Sequence, residues 1–127
     1  MNTGSPHYVE FVKGVKEHSV FEEGRKIRYN ERFKKKGTNV NFVEKIGKNK
    51  IFVRTYERGV ENETYSCGTG VTAAAIAASL SGMSSPVQIL TLGGELCVSF
   101  DKEKGNKFTS VFLIGPAVSV YKGTVEI

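Results

Sequence analysis

Cys67-Gly68-Thr69-Gly70-Val71-Thr72-Ala73-Ala74-Ala75-Ile76-Ala77-Ala78-Ser79-Leu80-Ser81 is the stretch that decides the fold. From Thr69 to about Ser81 it is alanine-rich and carries no charge, so it reads as a helix. A helix apolar all round belongs inside a protein, and its small side chains let strands pack closely around it. Gly82 suits the residue just past the helix, and Pro86 bars continuation. The helix begins abruptly out of the polar loop Glu61-Asn62-Glu63-Thr64-Tyr65-Ser66. Cys67 thus falls at the positive end of the helix macrodipole, where the field favours thiolate over thiol. Thiolate is both a nucleophile and a base. The small residues Gly68, Thr69 and Gly70 leave bare backbone N–H groups open to an anion. The same pattern also fits a small buried cysteine ahead of a core helix.

Outward from the helix, strand-like runs dominate. Tyr8–Val12, Val40–Glu44 and Lys50–Tyr56 precede it, with Gly47-Lys48-Asn49 as a hairpin turn between the last two. After it come Val87–Leu92, Leu96–Phe100, Thr109–Ile114 and Ala117–Tyr121, separated by Gly93-Gly94, Gly105-Asn106 and Gly115-Pro116. A weaker helix is expected over Val15 to Arg25. Short strands and tight turns imply antiparallel pairing without βαβ units. The expected fold class is α+β: antiparallel β-strands wrapped around one central buried α-helix, in a single domain.

Composition excludes several classes. The 127 residues include no apolar run of membrane-span length, and the first residues show neither a basic region nor an apolar core of a signal peptide. Two cysteines in unrelated contexts make no disulfide framework, so a reducing cytoplasmic setting is expected. The net charge is +5, and it is concentrated. Arg25, Lys26, Arg28, Arg32, Lys34, Lys35 and Lys36 face only Glu31, giving that segment +6 and the remainder −1. Tyr29 and Phe33 do not make the stacking platform of single-strand binders, so no nucleic-acid partner is expected. Gly68-Thr69-Gly70-Val71-Thr72-Ala73 fits the dinucleotide fingerprint G-x-G-x-x-A, but no apolar strand precedes it. The position for the ribose acid falls near Gln88-Ile89-Leu90. Dinucleotide binding is therefore rejected. No Walker lysine or metal-ligand spacing occurs.

The remaining motifs stand in a fixed order. Thr3-Gly4-Ser5-Pro6-His7 is followed by Gly37-Thr38-Asn39-Val40-Asn41-Phe42. Next come Arg54-Thr55-Tyr56-Glu57-Arg58-Gly59, Glu63-Thr64 and Cys67-Gly68-Thr69-Gly70. Leu92-Gly93-Gly94-Glu95-Leu96 and Gly115-Pro116-Ala117 complete the series. From Asn2 to the end this closely resembles the C-terminal half of the diaminopimelate epimerases.

The resemblance implies a cofactor-free, PLP-independent epimerisation of LL- to meso-diaminopimelate in lysine biosynthesis. Two cysteines, one from each half, would act on opposite faces of the α-carbon. It makes 1–127 the C-terminal domain with the N-terminal domain absent, and it makes Cys67 one of the two thiols, the one that acts as base in the meso direction and as acid in the LL direction. It implies catalytic roles for Cys67, Glu57 and His7, and substrate contacts from Ser5, Asn39, Glu57, Arg58, Gly68 and Thr69. Glu57 and Arg58 are expected near the α-centre, Gly68 and Thr69 at the α-carboxylate, and Asn39 at the distal end. Ser5 departs from the asparagine many members carry. Cys97, inside a strand, is expected to serve packing or surface. Expected partners are the small-molecule substrate and the missing N-terminal half, with a homodimer allowed and no membrane. The chain alone is expected to fold without epimerising. Two other readings stay open: a proline racemase or hydroxyproline epimerase of the same fold, and a non-catalytic anion-binding module.

Overall fold

A computed structural model describes all of residues 1–127. Seven strands are present: β1 (His7–Phe11), β2 (Asn39–Gly47), β3 (Lys50–Glu57), β4 (Asn62–Thr64), β5 (Val87–Thr91), β6 (Gly94–Glu103) and β7 (Lys107–Ile114). They form one sheet in the order β1-β2-β3-β5-β6-β7, with β4 also paired to β3. Helix α1 (Val20–Arg28) follows a 3₁₀ turn at Val15–Glu17, and α2 spans Gly68–Leu80. No helix is long and apolar enough to cross a membrane.

The sheet is mixed, which corrects the antiparallel expectation. β1 pairs with β2 in parallel, and β3 with β5 in parallel; the other pairs are antiparallel. Each parallel pair is joined by a helical crossover, through α1 and α2 respectively. A tight turn between strand-like runs marks a hairpin, and the three it marks (β2/β3, β5/β6 and β6/β7) are present. Long helical connections return the chain in the same direction and leave no such local mark. The expected strand at Ala117–Tyr121 is absent, because Gly115–Ile127 is exposed and outside the sheet. The weaker expected helix divides: Gly14, at φ 66, and the 3₁₀ turn come first, and α1 runs three residues past Arg25.

Period-two alternation sends the two faces of the sheet to different helices. Val43, Ile51, Val53, Val87, Ile89 and Val98 pack on Val71, Ala74, Ala75 and Ala78 of α2. Val40, Phe42 and Tyr56 pack with Val15 and Val20 on the α1 side. The sheet curls, so α2 lies in its hollow and touches β1, β2, β3, β5, β6 and β7. The helix is not enclosed all round, however. Thr72, Ile76 and Leu80 form a stripe that opens into a groove lined also by Met1, Asn2 and Thr3 and by Phe108, Val111 and Leu113 of β7. An all-apolar sequence says that a helix is covered; it does not say by what.

Gly24 lets α1 approach the sheet. A Cβ there would lie 2.5 Å from Cβ of the fully buried Tyr56. Alanine normally favours a helix over glycine by about 1 kcal/mol, but overpacking costs about 1–3 kcal/mol. Gly24→Ala is therefore expected to lower, not raise, the urea midpoint.

Candidate functional site

The alternation that puts Val43 against α2 also puts Asn39 and Asn41 on that face. His7 joins them through β1, where it pairs with Asn39, and Thr55 through β3, where it pairs with Asn41. All four side chains are buried. Such a polar row survives inside a sheet only if it is hydrogen-bonded. The bonds run directly to the start of α2.

Thr55 Oγ1 donates to Asn41 Oδ1 at 2.9 Å. The Asn41 amide nitrogen donates to Tyr8 O at 3.1 Å and lies 3.0 Å from His7 Nδ1. Because an amide nitrogen can only donate, Nδ1 must accept, and the neutral ring carries its proton on Nε2. Nε2–H then donates to Thr69 Oγ1 at 2.9 Å. The Thr69 hydroxyl proton is left free to point at Cys67 Sγ, 3.7 Å away. The order is Thr55, Asn41, His7, Thr69, Cys67: a continuous line of donors ending on sulfur. Thr3 Oγ1 fixes the same turn by donating to Thr69 O at 2.7 Å.

Cys67 occupies the N-cap of α2, as expected, with extended backbone (φ −132, ψ 109) and no side-chain capping bond. The first backbone bond of the helix is Val71 N–H to Cys67 O, 2.9 Å. The N–H groups of Gly68, Thr69 and Gly70 therefore have no acceptor within the chain. Three donors and the macrodipole converge beside a thiol, which is a receptor for a carboxylate. Gly70 allows this packing, because a Cβ there would collide with Asn41 Oδ1 and lie 3.3 Å from Cys67 Sγ.

His7 is held below its ordinary pKa of 6.5, at about 4, first by burial and then by the Met1 ammonium and Arg58. A folded value below the unfolded one means that the unfolded chain binds the extra proton between pH 6.5 and about 4. The stability contributed by keeping His7 neutral is complete above pH 6.5 and is lost as pH falls through that window. Urea unfolding between pH 7 and 4 is expected to show this decline, and His7→Gln to flatten it.

A second group lies at the turn after β3. Asn39 donates to Ser5 Oγ at 2.7 Å and to Pro6 O at 3.1 Å, and its Oδ1 accepts from the Arg58 backbone N–H at 2.8 Å. Arg58 Nη1 donates to Lys36 O at 2.8 Å. Glu57 accepts from Thr64 Oγ1 at 2.8 Å. Ser5, Asn39 and Arg58 are thus tied together, while His7 and Thr69 are tied to Cys67. No hydrogen bond joins Glu57 to Cys67. Cys97 is a half-buried free thiol on β6, opposite Gln88 and Ile114.

Sequence reasoning passed over three residues here. Asn41 lies two residues after Asn39, and only the period-two register reveals that they share a face. Thr55 reads as an ordinary strand threonine. Glu61, with left-handed backbone (φ 57), accepts from Arg28 Nε, Gly59 N–H and Tyr56 Oη, each at 3.1 Å. Its carboxyl is held below the usual range: burial pushes it up, but these donors and Tyr29 outweigh burial. Glu61 thereby braces the turn that carries Arg58.

Known proteins can be set beside this geometry. The sequence model of the family described as Diaminopimelate epimerase matches residues 1–120. The diaminopimelate epimerase of Flavobacterium psychrophilum is 46% identical over 127 residues, covering 98% of this chain and 49% of that protein. The Aquifex aeolicus protein of the same name is 47% identical, covering 99% and 45%. The chain thus spans about half the length of the curated relatives it matches. Among solved structures, a Bacillus anthracis phenazine biosynthesis protein of the PhzF family superimposes with a TM-score of 0.60 at 19% identity. That match covers 84% of this chain and 34% of the other, a likeness of fold.

Proposed function

The chain belongs to the diaminopimelate epimerase family, and from that premise we propose that it supplies one of two thiols of a cofactor-free amino-acid epimerase. The observation that carries the reading is the hydrogen-bond line from Asn41 through His7 and Thr69 to Cys67, beside three unpaired helix N–H groups. The substrate class is diaminopimelate. The α-carboxylate would sit on the Gly68 and Thr69 N–H groups, where charge spreading from a carbanionic α-carbon is stabilised. Cys67 would remove or return the α-proton on one face. The neutral His7, by donating to Thr69, frees the Thr69 hydroxyl to donate to the developing thiolate. Asn39, with Ser5, suits the distal amino-acid end. Arg58, with its rigid donor fork, is placed beside Glu57 near the α-centre. Glu57, anchored by Thr64, remains the candidate for the ammonium group.

The opposite face of the α-carbon needs a second thiol, which we place in the N-terminal half of the complete protein, with 1–127 as the C-terminal domain. The test is reconstitution. The chain is mixed with the part of the Flavobacterium psychrophilum relative that it does not match, and conversion of LL- to meso-diaminopimelate is followed. Conversion by the mixture and by neither part alone is expected. Turnover by the purified chain alone, or conversion of proline in preference to diaminopimelate, overturns the reading.

A further inference from the structure

The turn after β3 carries more charge than reversing the chain requires. Its backbone is closed by Glu61 N–H donating to Glu57 O at 2.8 Å. Glycine or asparagine would suit position 61, where φ is 57, because a left-handed backbone costs other residues free energy. Glutamate stands there instead, engaged on both oxygens. Oε1 accepts from Gly59 N–H and from Arg28 Nε, and Oε2 accepts from Tyr56 Oη, each at 3.1 Å. The Arg28 side chain is 14% exposed and that of Glu61 30%. The pairs Lys26–Glu23 and Lys34–Glu31, on the same basic segment, lie out in water, where a pair constrains little.

Arg28 also keeps a buried Nη1 without an acceptor, a cost that a shorter side chain would avoid. What it touches gives the reason. Gly37, at φ 76, sits where two arginines meet: a Cβ there would lie 2.8 Å from Arg28 Cζ and 2.6 Å from Arg58 Cδ. One residue earlier, Lys36 O accepts from Arg58 Nη1 at 2.8 Å. Two residues later, Asn39 Oδ1 accepts from the Arg58 backbone N–H at 2.8 Å. The Arg58 side chain thus lies along the Lys36–Asn39 segment, with the Arg28 guanidinium packed at the same glycine. Like charges this near repel. Glu61 neutralises Arg28 and fixes it through Nε. Arg58 Nε and Nη2, with no acceptor in the chain, stay available to an anion. No side-chain hydrogen bond of Glu61 or Arg28 leads to the line that ends on Cys67.

We propose that Glu61 is a positioning residue for substrate: by holding Arg28 at Gly37 it fixes the Arg58 fork, and so sets affinity for a carboxylate without altering proton transfer at Cys67. The substrate half of this inference rests on the reading of Arg58 as a substrate contact. The positioning half is measured without substrate.

The test uses Glu61→Gln and Glu61→Gly. Glutamine keeps the shape and one acceptor but removes the negative charge facing Arg28. Glycine removes the side chain and relieves the left-handed backbone. In the full chain alone, nitrogen relaxation of the Arg58 Nε–H is expected to show an ordered group in the native protein and a mobile one in both variants. In the chain complexed with its companion half, KM for diaminopimelate is expected to rise about 10-fold or more, the usual worth of a hydrogen bond to a charged group, with kcat nearly unchanged. In an Arg58→Ala background, Glu61→Gln should add nothing further to KM, because the group it positions is gone. An Arg58 Nε–H as ordered in both variants as in the native chain overturns the proposal. So does a fall in kcat with KM unchanged, or a Glu61→Gln effect that adds in full to that of Arg58→Ala. A complex with no turnover at all would sink the proposed reaction, and the relaxation measurement would still decide whether Glu61 holds Arg58.

Discussion

Alanine at position 67 is expected to reduce epimerisation by the reconstituted protein by about 10²–10⁴-fold, the usual worth of a positioned acid or base. The fold should survive. Cys67 is only half buried, and its Sγ contacts are the Thr69 hydroxyl at 3.7 Å and the Gly70 backbone region. The three helix N–H donors do not depend on its side chain, so a carboxylate receptor remains. Rate and affinity should therefore separate, with kcat collapsing and KM changing little. Cys67→Ser is the stricter variant. Its hydroxyl nearly reproduces the shape but is a far weaker acid than a thiol, so it should be nearly as slow as alanine. Initial rates and urea midpoints on the same preparations check both halves of the expectation. A serine variant with near-normal rate would move the proton transfer elsewhere.

Leucine at position 41 should do the largest damage of any change outside the thiol. Asn41 is fully buried and is bonded to Thr55 Oγ1, Tyr8 O and His7 Nδ1. Leucine keeps the branching at Cγ, adds volume to a tightly packed site, and leaves every former partner of Asn41 without its hydrogen bond. Each buried polar group left unpaired costs about 1–3 kcal/mol, so a loss of about 2–4 kcal/mol is expected after partial relaxation. Activity should fall further than stability explains, because Nδ1 is no longer compelled to accept and His7 is no longer compelled to present Nε2–H to Thr69. Nitrogen NMR of the His7 ring reads that tautomer directly. Asn41→Asp separates the two effects. It keeps an acceptor for Thr55 but removes the donor to Nδ1, so the folded ring should protonate there more readily and the loss of stability between pH 6.5 and about 4 should flatten. An unchanged tautomer in Asn41→Leu would show the ring to be fixed by other means.

What could be read from the sequence followed from what local patterns encode. The α2 boundaries, its glycine-flanked start, the cysteine at its cap and the hairpins at Gly47, Gly93 and Gly105 all depend on residues within a few positions of one another. The parallel pairings of β1 with β2 and of β3 with β5 depend on where a long crossover returns, and no short motif records it. The same limit hid Asn41 and Thr55, which matter because register aligns them across strands. It also hid the role of Glu61, whose partners Arg28 and Tyr56 lie on α1 and β3. The tail misled for a different reason. Ala117–Tyr121 has the composition of a strand, but composition does not supply a neighbour, and the segment pairs with no strand of this chain.

The tie of Ser5 and the Arg58 backbone to Asn39 has the same origin. In sequence, Glu57 and Arg58 are adjacent and invite one shared role. At the end of β3 their side chains engage different partners, Thr64 for Glu57 and the Lys36 carbonyl for Arg58. Glu57 is the last residue of β3 and Arg58 the first of the turn after it, so adjacency in sequence gives them no common partner.

The account rests on Cys67 exchanging the α-proton from a single face. The most direct test is deuterium uptake from heavy water at the α-carbon of diaminopimelate, using this chain complexed with a companion half whose own catalytic cysteine is replaced by alanine. With one thiol left, uptake without epimerisation is predicted, confined to the meso isomer, from which the family resemblance has Cys67 remove the proton. Adding Cys67→Ala should abolish it. Uptake that persists in Cys67→Ala, or that favours the LL isomer, would contradict the assignment.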